Sequence, residues 1–228
     1  MRRENGTDNL NKVRDAKVSG DDTSIKEEII EIGRRMYEKG YVAANDGNIS
    51  VRSGNGTIWV TPTGVSKGYM IEDMLVRMKL DGSIIEGTCK PSSEVKMHLR
   101  VYCENPSVNA VVHAHPPFAT AFAASGLSLG EPLLSETVML LGNVPLVQYS
   151  APGTQEVPDA IAPYCNTHVA LLLSNHGVLT WGSSLMQAYF RLEELEQTAK
   201  INAISRYILK SEIPLTKEQI GRLPKPVK

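Results

Sequence analysis

Short apolar segments joined by turns too tight to hold a helix constrain this chain more than any other feature. NISVR (48–52) and TIWVT (57–61) are separated by SGNG, and VALLLSNHG (169–177) runs directly into VLTW (178–181). Their alternation, and the Gly, Asn and Pro residues between them, read as strands. LVRMKL (75–80), NAVVHAH (109–115) and VPLVQYS (144–150) add three more. A parallel pair needs a crossover of about a dozen residues. Several connections here are shorter, so a mixed sheet is expected rather than a purely parallel one.

Helical patterns are interleaved with these strands. Ser24 and Glu27 have the spacing of a capping box. Ile25, Ile29, Ile32 and Met36 follow at helical spacing, and Gly40 closes the helix. Further helices are expected after Pro91-Ser92-Ser93, from Pro117 to Ala124, from Ser184 to Leu209, and from about Thr216 to Leu223. Residues 1–23 are polar, charged and aperiodic, which predicts a flexible leader. No internal repeat or linker interrupts residues 24–228, so a single α/β domain is expected there.

Composition narrows the function classes. Lys plus Arg number 24 against 25 Asp plus Glu, a net charge of −1, which lacks the basic footprint of a nucleic-acid binder. No apolar run approaches the roughly 20 residues that span a bilayer, and the N-terminus has no apolar core of a secretory signal. Three widely spaced cysteines, Cys89, Cys103 and Cys165, fit reduced thiols and a cytoplasmic setting.

Four constellations could carry chemistry. His113 and His115 lie one residue apart in an apolar strand and would share one face. They fit either a metal site or two satisfied core residues. His176, in SNHG at the end of another buried strand, would supply a third imidazole. Three neutral imidazoles with an open position suit catalytic zinc, with cobalt, manganese or iron as alternatives. Glu94, at the start of a helix, fits either a helix-dipole cap or a general base and transient metal ligand. His98, one turn later, is expected to be buried or to support the site from behind, and His168 to be peripheral. Gly47-Asn48-Ile49-Ser50, Thr61-Pro62-Thr63-Gly64 and Pro91-Ser92-Ser93 are each ordinary turns or caps, or together a phosphate cradle. Glu193, Glu194 and Glu196 are expected on a solvated helix face or a subunit contact.

The order GNIS, TPTG, PSSE, HxH, NHG across residues 25 to about 205 resembles the class II aldolase/adducin family, and within it most the L-fuculose-1-phosphate aldolase branch. The resemblance implies a three-layer α/β/α domain with a central mixed, largely antiparallel sheet, assembled as a homotetramer with active sites at subunit interfaces. It places zinc on His113, His115 and His176, with Glu94 as catalytic acid/base and occasional ligand. It places phosphate on Asn48, Thr63, Gly64, Ser92 and Ser93.

The implied reaction is reversible cleavage of a ketose 1-phosphate to dihydroxyacetone phosphate and an aldehyde, with zinc stabilising the enediolate. No Schiff-base lysine is required, which leaves the lysines as surface residues. Methylthioribulose-phosphate dehydratases and pentulose-phosphate 4-epimerases share the site, though the epimerases carry aspartate where this chain has Glu94. An adducin-like interaction domain without a metal would have no reason to keep the three histidines and Glu94. One departure stands out. The branch carries a tyrosine before the strand matched by VPLVQYS, whereas LLSETVMLL has none. Tyr149 and the tyrosines near the C-terminus are the remaining candidates for its role.

Overall fold

The computed structural model describes residues 21–224. Eight strands form one sheet: β1 (Asn48–Ser53), β2 (Thr57–Val60), β3 (Val76–Lys79), β4 (Ile84–Glu86), β5 (Ala110–Ala114), β6 (Leu146–Val147), β7 (Ala170–Leu173) and β8 (Gly177–Gly182). Their order is β4-β3-β2-β1-β5-β8-β7-β6. Every neighbouring pair is antiparallel except β6 and β7. The mixed, largely antiparallel α/β sheet is as expected.

Alternation along each strand assigns the two faces. Ile49 and Val51 of β1, Val112 and Ala114 of β5 and Val178 of β8 enter one core. There they meet Ile25, Ile29 and Ile32 of α1 (Asp22–Glu38) and Phe122 of α2 (Pro117–Ala124).

 The same core takes Leu192 and Leu195 of α3 (Leu185–Ala203). The alternate residues, among them Val111, Leu171, Leu179 and Trp181, face the second core. It is closed by Val101 and Tyr102 of the helix Val95–Glu104 and by Val157 and Ile161 of the helix Glu156–Ile161. Helices therefore cover both faces of the sheet, in three layers.

Several boundaries differ from the sequence expectation. Asp21, not Ser24, caps α1: its side chain accepts the Ser24 backbone N–H at 2.9 Å, and Ser24 lies inside the first turn. An aspartate there also puts negative charge at the positive end of the helix dipole. Gly40, at φ +70°, ends the helix as expected. Residues 21–23 thus belong to the helix and its cap, and the rest of the expected leader lies outside the described residues. The helices Ser135–Leu140 and Glu156–Ile161 and the strand β4 are too short to leave a periodic signature. The last long helix continues past Ala203 as a π-helical turn, Ile204–Ile208. The tail helix Lys217–Gly221 starts at a capping box between Thr216 and Gln219. The three cysteines are free. Among the described residues no helix is long and apolar enough to cross a membrane.

The expectation of a solvated face or a subunit contact fails at Glu196, which is buried within the chain itself. Its carboxylate is buried and accepts the backbone N–H groups of Phe118 (2.9 Å) and Ala119 (2.8 Å), the first turn of α2. Burial pushes this carboxyl above its usual pKa range, with the two N–H groups opposing. Glu194 accepts from Thr137 and Thr198, and Glu193 meets Lys39 at 3.1 Å. Glu196→Ala would leave two N–H groups without their partner. It is expected to lower the unfolding free energy in urea by about 1–3 kcal/mol, whereas a solvated residue would change it by less than about 0.5 kcal/mol.

Candidate metal centre and substrate cleft

Strand pairing brings the chemistry together. Asn48 of β1 lies opposite His113 of β5, and β8 pairs with the other side of β5, placing His113 opposite Leu179. His115 follows the end of β5. His176 closes the three-residue turn from β7 to β8, in which Asn175 adopts φ +55°. The ring centroids of the three histidines stand 4.6–5.3 Å apart, and one ligand nitrogen from each lies within 4.8 Å of the others.

Two glycines allow this crowding. A Cβ on Gly177 would stand 2.4 Å from His115 Cδ2 and 2.5 Å from the Ala114 carbonyl oxygen. On Gly47, at φ +71°, it would stand 2.9 Å from the His113 carbonyl oxygen. Backbone must approach the imidazoles closely at both places.

Hydrogen bonding orients the rings. His113 Nδ1 lies 2.8 Å from the Val178 carbonyl oxygen, which can only accept, so Nδ1 carries the proton and Nε2 its lone pair. His115 Nδ1 faces Asp46 Oδ2 at 3.3 Å, which assigns its tautomer in the same way. The two Nε2 atoms then confront each other at 3.0 Å. Two lone pairs repel at that distance unless a cation lies between them. Nitrogens bound to tetrahedral zinc at 2.0–2.1 Å stand about 3.3 Å apart. The donor set therefore fits a divalent metal ion. Burial depresses the pKa of both His113 and His115, and the neighbouring imidazoles add to it, which keeps both rings neutral for ligation.

Glu94 is the residue immediately before the helix Val95–Glu104. Its Oε1 is 2.8 Å from His176 Nε2 and its Oε2 is 3.5 Å from His113 Nε2. Asn48 Nδ2 donates to Oε2 at 2.8 Å and to Ser92 Oγ at 3.3 Å. Burial opposes ionisation of Glu94, but His113, His176 and Asn48 together outweigh it and hold the carboxyl well below its usual range. An ionised acceptor thus faces the three imidazoles.

A cleft of about 280 Å³ opens over this group, lined by Thr63, Ser92 and Ser93 together with Glu94, His115 and His176. Asn48, only 3 % exposed, lies beneath it rather than on its wall. Gly64 follows Thr63 at φ +73° and does not line it. The Thr63 backbone N–H is already committed to the Lys90 carbonyl at 2.9 Å. His98 is buried, with Nδ1 2.7 Å from Ser50 Oγ, and burial pulls its pKa down to about 3. It stands apart from the three-histidine group. His168 pairs with Thr167 away from the site. Tyr149 is 62 % exposed and does not line the cleft.

Two residues at the site had no sequence signal. Asp46 lines the cleft and meets His115, although ANDG reads only as a turn. Lys67 is buried, which corrects the expectation that the lysines are all surface residues. Burial lowers its pKa to about 8, with Asp46 and Glu94 opposing.

His113→Ala and His176→Ala are each expected to lose most bound zinc, measured by metal analysis after dialysis. Gly177→Ala is expected to weaken zinc binding and to destabilise the fold by about 1–3 kcal/mol through overpacking. Full zinc content in both histidine variants would show that the ion binds elsewhere.

Known proteins place this geometry in a family. The family model of the class II aldolase and adducin N-terminal domain matches residues 27–203. An L-fuculose phosphate aldolase of Methanococcus maripaludis is 37% identical over 177 residues, covering 78% of this chain and 95% of that protein. A 3-oxo-tetronate 4-phosphate decarboxylase of Escherichia coli K12 is 37% identical over 199 residues, covering 83% and 93%. The crystal structure of YgbL from Klebsiella pneumoniae superposes with a TM-score of 0.82 at 34% identity, covering 89% of this chain and 98% of that one. The chain belongs to the class II aldolase and adducin family.

Proposed function

We propose that this chain is a metal-dependent carbon–carbon lyase. It cleaves a ketose 1-phosphate, L-fuculose 1-phosphate or a close analogue, to dihydroxyacetone phosphate and an aldehyde. The observation that carries this reading is the Glu94 carboxylate set 2.8 Å from His176 and 3.5 Å from His113. His113, His115 and His176 hold zinc, with cobalt, manganese and iron as alternatives, and Glu94 is a further ligand before substrate enters. When bound, the cation supplies Lewis-acid stabilisation of negative charge on the ketone oxygen.

Glu94 moves the proton. In cleavage it returns one to the carbon that keeps the electron pair, and in synthesis it removes it. Asn48, donating to Oε2 at 2.8 Å, holds the carboxylate in register with that carbon. Thr63, Gly64, Ser92 and Ser93, with Asn48 behind them, bind the phosphate and so orient the distant bond. The active unit is a homotetramer with sites at subunit interfaces, in the cytoplasm. The exposed apolar residues Tyr69, Ile208 and Ile213 and the free thiols support this setting.

Decarboxylation of a 3-oxo acid phosphate is the second reading. The decarboxylase of Escherichia coli is as similar to this chain as the aldolase of Methanococcus maripaludis. Both reactions leave an electron pair on a carbon beside a ketone, so the same residues serve either. They differ in the departing group. Release of an aldehyde requires a base for its hydroxyl proton, whereas release of carbon dioxide does not.

Zinc-loaded protein is expected to release dihydroxyacetone phosphate from one of these substrate types and to stop when a chelator is added. An accompanying aldehyde identifies the aldolase, and carbon dioxide from 3-oxo-tetronate 4-phosphate the decarboxylase. Glu94→Gln is expected to keep most of the metal and lose about 10²–10⁴-fold in kcat. No release from either type by zinc-loaded protein would reject the proposal.

A further inference from the structure

Lys67 is 1 % exposed, yet among the described residues its ammonium makes no salt bridge with a carboxylate. Its Nζ donates to the Val65 carbonyl at 2.7 Å and to the Asn45 carbonyl at 3.2 Å. Burying an ammonium group on two neutral acceptors is costly, and an apolar side chain would fill the same space. Geometry gives the reason for a lysine there. The two carbonyls belong to separate turns: Asn45 lines the cleft itself, and Val65 lies two residues after Thr63, which lines it. Asn45 precedes Asp46, which meets His115 Nδ1 at 3.3 Å. Val65 follows Thr63 and Gly64.

The turn around Asn45 needs an external tie. Ala44 has φ +45°, a left-handed backbone in a residue with a Cβ, and Gly47 has φ +71°. Such backbone persists where its surroundings over-determine it. The base of the tie is firm as well. A Cβ on Gly33 of α1 would stand 2.8 Å from the Lys67 carbonyl oxygen, so that glycine seats the Lys67 backbone directly on the helix.

We propose that Lys67 is a positioning residue that ties the Asn45–Asp46 turn to the Thr63–Val65 turn, setting the distance between the metal and phosphate ends of the cleft. The inference rests on the reading of the cleft given above. Lys67 would touch neither ligand. Without its ammonium both carbonyls are released, Asp46 no longer holds His115, and Thr63 and Gly64 move relative to the metal. Metal and phosphate affinity are therefore coupled through one side chain.

The test compares the full-length chain with Lys67→Met and Lys67→Arg. Zinc affinity is read by competition with a chelating dye, inorganic phosphate affinity by calorimetry on zinc-loaded protein, and folding by circular dichroism. Folded Lys67→Met is expected to bind both ions about tenfold more weakly, the scale of losing a residue that orients a metal ligand. Lys67→Arg keeps charge and donors and is expected to stay within about threefold of the parent. Should Lys67→Met fail to fold, Lys67→Gln, which keeps a neutral donor on a shorter stem, is held to the same tenfold expectation. A folded neutral variant with parental affinity for both ions overturns the tie and leaves the cleft reading intact. A parent chain that binds neither zinc nor phosphate overturns the cleft reading and this inference with it.

Discussion

The site depends on β5 being paired on both edges. Asn48 of β1 stands opposite His113 on one side, and Val178 of β8 supplies the carbonyl that fixes the His113 tautomer on the other. His113 is therefore held by three strands before any ligand is considered. The ladder hydrogen bonds set the height of its imidazole above the sheet, and the antiparallel hairpin from β7 to β8 delivers His176 at the same level. This is a rigid scaffold with functional groups at strand ends and turns.

Polar groups are packed into this region at a cost that ordinary core residues would avoid. Glu94 is held ionised among imidazoles, His113 is fully buried, and Asn48 spends its amide on Glu94 and Ser92. Behind them, Ser50, His98 and Tyr102 form a second buried polar group: Tyr102 Oη donates to the Ser50 carbonyl at 2.9 Å, and His98 stands 2.7 Å from Ser50 Oγ. This group pins the helix that starts after Glu94 to β1, from which Asn48 reaches the same carboxylate. Orientation of Glu94 is thus shared between strand and helix, and a buried network of this kind rigidifies what it connects.

Membership of the family leaves the departing group open, and the chemistry explains why. Aldehyde release and carbon dioxide release both leave an electron pair on a carbon beside a ketone, so residues that stabilise that pair do not tell the two apart. Only the groups around the far end of the substrate distinguish them, and those are the residues that relatives of 37% identity need not share.

Local pattern alone determined the α/β class, the mixed sheet and most of the helices, whereas the grouping of His113, His115 and His176 with Glu94 came from the order of motifs along the chain and the family it resembles. Period-two alternation, helical spacing and turn residues act over a few neighbours and are visible in one dimension. The same reasoning placed the cap of α1 three residues late, because Asp21 and Ser24 are both good cap residues and only the backbone path chooses between them. It put Glu196 on a solvated face or a subunit contact, since a glutamate on a helix looks like a surface residue until another helix starts against it. It passed over Asp46 and Lys67 altogether. Their meaning lies in contacts with His115, Asn45 and Val65, and for His115 the partner is 69 residues away. Tertiary structure decided Glu196 and Lys67, because a charge is worth burying only where the folded chain supplies its partners, and it decided Asp21 and Asp46 through the backbone path that brings each to its partner.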